Sequence, residues 1–324
     1  MKTTIPPHTL ASSMTKAASK QTYYTIRFLA DRERVADAYR AYAYFRWVDD
    51  TLDASAPSGG SGRYRAGSGV EGQARLIFLE RQKSLLEKCY RGESIQDATS
   101  KEQMLIELVK GDHEKNSGLQ SYLRNMMQVM HFDARRRGRL ISYSELNEYT
   151  RWLASAVTEA MHYFIGHRCY SPHNALRYLA VSGAHITHML RDTFEDVQAG
   201  YYNIPREVLE ANHIRPVDIH SKPYRAWVQS RVQLARQYFN AGKEYLAGVE
   251  NPRCRLAGLA YTSRFEWLLN IIEGENYCLR PAYTERKSLQ AGLRIGLSTV
   301  SALISLRGAE TAPQPVVSQY LRKL

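Results

Sequence analysis

The chain has 324 residues, of which 44% are hydrophobic and 23% charged; that balance excludes a disordered chain and is enough for a sizeable core. A formal charge of +12 points to an anionic partner, whether nucleic acid, phosphorylated metabolite or acidic membrane surface, without choosing among them. The four cysteines (Cys89, Cys169, Cys254, Cys278) are far apart and form no CxxC pair, which fits reduced thiols in a cytosol better than a disulfide framework or a zinc site.

Taken in chain order, "MKTTIPPHTLASSMTKAASK" lacks the apolar core of a signal peptide, and residues 1–18 read as a tail. Apolar residues then recur at spacings of three and four, with few alternating runs, so the pattern predicts an all-α domain over 19–310 and a C-terminal tail from 311. Helices are expected over about 21–53, 71–91, 101–113, 118–136, 143–166, 172–199, 223–248, 253–279 and 285–306, with most prolines falling between them. Residues 54–72, "ASAPSGGSGRYRAGSGVEG", make a flexible Gly/Ser loop; its plain reading is a surface loop, its sharper one a mobile lid carrying Arg63 and Arg65. No apolar run reaches spanning length, and "LRIGLSTVSALISL" at 293–306 reads as a buried or membrane-grazing helix.

Two acidic clusters carry the chemistry. The first, "YFRWVDDTLDA" at 44–54, places Asp49, Asp50 and Asp53 beside Arg46 in an aromatic run. On a helical wheel with Arg46 at 0°, Asp49 falls at about 300°, Asp53 at about 340° and Asp50 at about 40°, flanking an apolar face of Phe45, Val48 and Leu52. The second, "HITHMLRDTFED" at 185–196, sets His185, His188, Asp192, Glu195 and Asp196 beside a stripe of Ile186, Leu190 and Phe194. One such cluster alone reads as a solvated face. Two copies, each with an arginine ahead and an apolar stripe alongside, read as one device. Like charges four apart cost about 0.2–0.5 kcal/mol per pair, more in a cleft, unless a cation compensates. Mg²⁺ prefers oxygen donors and leaves places for substrate phosphates, and arginines bind phosphate oxygens in pairs. Two facing D-x-x-x-D ridges would clamp a diphosphate.

At these residues the sequence resembles the squalene/phytoene synthase family, which joins two prenyl diphosphates head to head. The resemblance rests on "RWVDDTLD" at 46–53 and "RDTFEDVQAGYYNIPREVL" at 191–209. "FDARRRG" at 132–138, Tyr149 with "ASAV" at 154–157, and "IIEGENY" at 271–277 support it. It implies a class I isoprenoid synthase-like helical bundle around a central apolar cavity. Asp49, Asp53, Asp192 and Asp196 would hold Mg²⁺, with Mn²⁺ as an alternative. Arg46 and Arg191 would bind diphosphate, helped by Lys20, Gln21 and Thr22. Tyr149 would face the reacting carbons. Farnesyl or geranylgeranyl diphosphate would be the substrate, NADPH would be needed only if the product is reduced to squalene, and the protein would be cytoplasmic with peripheral membrane contact.

The chain departs from the family pattern in places. His185 and His188 stand where a glutamine and an asparagine are usual. Neutral His188 would take a metal, and protonated His188 would donate to diphosphate. Phe265 stands where a cavity tyrosine is common, with Tyr261 one turn earlier, and "LASAVTE" at 153–159 has lost the family's glycines. Tyr44, Phe45 and Tyr149 are candidates to face a carbocation, with plain packing the expectation for Phe45. These departures keep two alternatives open: cyclisation, or transfer to another acceptor, on the same clamp, and a non-enzymatic assembly role. Nucleic-acid binding is not expected, because "DARRRGR" at 133–139 is short and the other basic residues are dispersed.

Overall fold

Serine and asparagine caps set where the helices begin. Ser19, Ser117, Ser142, Ser221 and Asn251 each accept a backbone N–H of the first turn they precede, and Ser142 forms a reciprocal box with Glu145. The computed structural model describes residues 7–54 and 69–283, and every regular element among them is helical. In order these are α1 (Pro7–Ala18), α2 (Lys20–Leu29), α3 (Val35–Ala54), α4 (Gly69–Tyr90), α5 (Glu102–Lys110), α6 (Gly118–Arg136), α7 (Tyr143–Phe164), α8 (Leu179–Ala199), α9 (Arg206–Ala211), α10 (Lys222–Ala247) and α11 (Pro252–Gly274). Short 3₁₀ turns occupy Arg32–Arg34 and Ala175–Tyr178.

Four boundaries differ from the periodicity. Residues 7–18, expected as tail, form α1 on the flank of α3, because Ala11 and Thr15 are buried there. The long helix expected over 21–53 breaks after Leu29. Asp31 leaves the helix to accept the amide N–H of Gly166 (2.9 Å) and of His167 (3.1 Å), and it pairs with Arg253. These long-range bonds outweigh local propensity. α9 follows Pro205 and was not expected. The last described helix ends at Gly274 rather than 279, since Asn276 and Tyr277 take positive φ (52° and 62°), which a helix cannot hold. The Arg63/Arg65 lid, the helix expected over 285–306 and the tail from 311 lie outside the described residues.

Two apolar clusters build the interior. One joins Tyr44, Phe45 and Val48 of α3 to Leu105 and Leu108 of α5, Leu123 of α6 and Leu146 of α7. The other joins Ile186 and Leu190 of α8 to Val232 and Phe239 of α10 and Leu268 and Leu269 of α11. α8 packs on α7 at one side and on α10 and α11 at the other, so its polar stripe is held between the two clusters. The approach of α10 to α8 needs Gly242, where a Cβ would sit 2.6 Å from the Ala180 Cβ and 2.7 Å from its nitrogen. Among the described residues no helix is long and apolar enough to cross a membrane.

Candidate active site

Each acidic ridge carries its own arginine as local counter-charge. On α3, Arg46 lies 3.5 Å from Asp49 and pairs with Asp50. Asp50 is exposed and belongs to the outer edge of the ridge. On α8, Arg191 grips Asp192 through two hydrogen bonds of 2.6 Å, and His188 Nε2 stands 3.0 Å from the same carboxylate. Despite burial, the His188 and Arg191 contacts hold the Asp192 carboxyl well below its ordinary value.

The other acids are not compensated in this way. Burial, followed by the charge of Asp53, pushes Asp49 up to about 6. Burial, followed by the charge of Asp192, pushes Asp196 up to about 7. Asp53 is raised too, chiefly by burial. Asp133 on α6 is within electrostatic reach of Asp49, Asp53 and Asp196, so it stands between the ridges.

A chain of hydrogen bonds runs through that residue. The Tyr149 hydroxyl donates to Asp133 Oδ2 (2.8 Å), and Arg136 Nε donates to Asp133 Oδ1 (2.7 Å). Arg136 Nη1 donates to Asn203 Oδ1 (2.8 Å), and Asn203 Nδ2 donates to Asp196 Oδ2 (2.7 Å). Arg136 is itself buried, with its guanidinium about equally far (5.0 Å) from the rings of Tyr149 and Tyr201. It supplies a fixed internal cation to the acidic face. Gly138 N–H donates to Gly200 O (2.7 Å) and Arg137 Nε to Ala199 O (3.0 Å), which ties the end of α6 to the end of α8. Gly200, at φ 86°, is the left-handed cap that ends α8 and turns the chain towards Asn203. In the basic run at 133–139, Arg136 and Arg137 are bonded to the protein itself, while Arg135 and Arg139 are exposed.

The structure brings most of the expected residues together. Tyr149 is buried, stacked on Phe132 (5.0 Å) and edge-on to His185 (4.9 Å). Phe265 lies 6.4 Å from the His188 ring and 5.0 Å from Tyr261, and Tyr261 is near enough to Arg191 to feel its charge. Gln21 Oε1 accepts from Arg264 Nη1 (2.8 Å), which hangs the start of α2 on the Phe265 side of α11. Lys20 is exposed, and the Thr22 hydroxyl is engaged with Ser19 (2.9 Å) in capping α2. Tyr44 and Phe45 do not face the site. Tyr44 is fully buried and donates to Gln82 Oε1 (3.0 Å), and Phe45 packs edge-on against Tyr44 and Tyr122. Asp133, Arg136 and Asn203 received no role from the sequence, although the spacing of Asp133 and Arg136 is that of a helical ion pair.

Among the described residues no three His, Cys, Asp or Glu side chains close around a common point tightly enough to enclose an ion. The donors nevertheless suit a hard divalent cation: they are carboxylates, and two are driven towards the neutral form by burial and by a neighbouring carboxylate.

The squalene/phytoene synthase family matches the chain over residues 15–290. No curated protein matches it significantly. Among solved structures, a dehydrosqualene synthase in complex with ligand superposes with a TM-score of 0.66 at 18% identity, covering 93% of this chain and 97% of that one. The squalene synthase HpnC from Alicyclobacillus acidocaldarius gives 0.63 at 16% identity, over 85% and 98%. TcSQS with the ligand BPH1237 gives 0.63 at 14%, over 96% and 93%. At these identities the superpositions establish the fold.

Proposed function

The chain belongs to the squalene/phytoene synthase family, and from that membership we propose that it condenses two prenyl diphosphates head to head, releasing diphosphate. The observation that carries this reading is the set of carboxylates on α3, α6 and α8 that share one electrostatic environment, in which burial and mutual repulsion outweigh the nearby arginines at Asp49 and Asp196. Asp49 and Asp53 on one side and Asp192 and Asp196 on the other are the residues that would hold Mg²⁺, with His188 as a further donor. Bound there, the ion would supply Lewis-acid stabilisation of the charge on departing diphosphate.

The protein's own groups do the rest. Arg46 and Arg191 exchange their present partners, Asp50 and Asp192, for diphosphate oxygens, so positive charge is in place where negative charge develops. Lys20 and Gln21 add donors from the start of α2. Asp133, fixed by Tyr149 and Arg136, holds the negative charge that faces the clamp. The rings of Tyr149 and Phe132 offer π-faces to an allylic cation near the clamp. Tyr261, Phe265 and His185 line the path of the prenyl chain. C1 of the ionised donor attacks the C2–C3 double bond of the second molecule; the tertiary cation so formed loses a proton from the former C1 to the released diphosphate and closes to a cyclopropyl intermediate. A second ionisation and rearrangement, ended by loss of a proton or uptake of a hydride, yields a linear C30 or C40 hydrocarbon. Peripheral contact with a membrane that receives this product is part of the same reading, supported by the net charge of +12.

The test is incubation with farnesyl or geranylgeranyl diphosphate and Mg²⁺, with diphosphate release and products measured. Mg²⁺-dependent release and a doubled chain are expected. A cyclic product from a single substrate sinks the head-to-head assignment, and no release from any prenyl donor sinks the enzyme.

A further inference from the structure

His185 is a buried titratable side chain that holds no hydrogen bond. It is 5% exposed, and neither Nδ1 nor Nε2 has a partner. A neutral imidazole carries one donor and one acceptor, and a buried ring that satisfies neither destabilises the fold. Histidines that serve structure bond through at least one nitrogen, as His162 does with Tyr245 (2.7 Å). His185 serves no such purpose.

Its place on α8 gives it another. Asp192, His188 and His185 follow one another along one face, His185 being about 10 Å along the axis from Asp192. His188 bridges the interval, touching Asp192 above and nearing Phe265 beside it. On the reading above, a prenyl diphosphate bound by Arg191 beside Asp192 would lay its first carbons along this face. There they meet the His185 ring and the Tyr149 ring packed edge-on against it. The charged groups within reach of His185 are Arg136 and Arg231, with His188 as a further basic neighbour; burial and these neighbours keep the ring unprotonated. An unprotonated base survives beside a carbocation, whose adjacent C–H protons are far more acidic than imidazolium.

We propose that His185 is the proton acceptor that ends the reaction, so that the product leaves as an unreduced polyene. This rests on the head-to-head reading above. In the step, a C–H bond on the carbon next to the cationic carbon breaks and its electron pair becomes the new C=C bond. The proton goes to the free ring nitrogen. The imidazolium then passes it to an oxygen of the diphosphate released in the same turnover. No hydride enters, and no NADPH is consumed.

The experiment compares full-length wild type with His185→Gln and His185→Leu, incubated with farnesyl or geranylgeranyl diphosphate and Mg²⁺ without NADPH. Three quantities are read: diphosphate release, product identity by mass spectrometry, and melting temperature without metal. The wild type is expected to give polyene. Among the products that either variant forms, the polyene share is expected to fall at least tenfold while water-quenched alcohol takes its place. His185→Leu melts at or above the wild type, having lost two orphaned polar atoms. An unchanged polyene share in either folded variant overturns the assignment. So does a wild type that makes no polyene, or failure of both variants to fold, which would make the ring a structural element. A wild type that releases no diphosphate overturns the head-to-head reading itself, which separates the two failures.

Discussion

The Tyr149 hydroxyl donates a 2.8 Å hydrogen bond to Asp133, joining α7 to an α6 carboxylate within electrostatic reach of both acidic ridges. Tyr149 thus acts on the site through its oxygen as well as its ring. The bond orients Asp133 Oδ2 while Arg136 takes Oδ1, so neither oxygen is free to turn away from the clamp.

Tyr149→Phe keeps the ring stacked on Phe132 and removes only that bond. The expected result is a folded protein whose activation by Mg²⁺ is weakened about 10–100-fold, the usual effect of losing an outer hydrogen bond that orients a metal-site carboxylate. A Mg²⁺ titration of diphosphate release measures it. An unchanged half-saturating Mg²⁺ concentration would leave Tyr149 with its ring alone.

The raised carboxyls predict how the metal-free protein responds to pH. Asp49 titrates at about 6 and Asp196 at about 7, against 3.8 for an ordinary aspartate. A folded-state value above the unfolded one means the fold favours the protonated form. The stability these groups contribute is complete below 3.8 and is lost as pH rises through about 6 and 7. Asp192 has the opposite sign, but its contribution is lost only in strong acid and does not enter this window. In a chelator, the wild type should therefore lose melting temperature relative to Asp49→Asn/Asp196→Asn between about pH 4 and pH 7. Mg²⁺ at pH 8 should restore the wild type alone. Parallel melting curves for the two proteins would contradict the assignment.

The fold was legible in the sequence because its signal is local and repeated. Apolar stripes at helical spacing place α4, α6, α7 and α10 within a few residues of their observed ends. The breaks were not legible where tertiary bonds decide them, as at Asp31, whose partners Gly166, His167 and Arg253 are distant in sequence. The site divides the same way. Asp49, Asp53, Asp192 and Asp196 announce themselves by recurring four apart on two helices. Asp133 and Asn203 enter as single polar residues whose role exists only once α6, α7 and α8 converge. Tyr44 marks the converse, an aromatic residue beside the acidic motif that the packing turns into the core, where Phe45 packs as expected.

His188 predicts the ion preference. Its Nε2 stands 3.0 Å from Asp192, and imidazole suits softer divalent ions better than Mg²⁺. His188→Asn replaces that nitrogen with an amide oxygen. The ratio of Mn²⁺-supported to Mg²⁺-supported diphosphate release should fall by several-fold. A ratio that does not move would assign His188 to the substrate instead of the ion.

The packing of α8 on α10 predicts the cost of disturbing the scaffold under the second ridge. At Gly242 an added Cβ would lie 2.6 Å from the Ala180 Cβ and 2.8 Å from its Cα. Backbone atoms cannot rotate aside as a long side chain can, so Gly242→Ala must push the two helices apart. Overpacking of this kind costs about 1–3 kcal/mol, offset slightly by alanine's better helix propensity. Because α8 carries Arg191, Asp192 and Asp196, the displacement reaches the clamp as well as the core. The expected outcome is a lower denaturation midpoint together with reduced diphosphate release. Ala180→Gly in the same chain should recover little of either, since the Ala180 nitrogen and Cα, 2.7 and 2.8 Å from the added Cβ, remain in place. Full stability in Gly242→Ala alone would show that α8 and α10 have slack between them, and would remove the argument that this contact fixes the ridge.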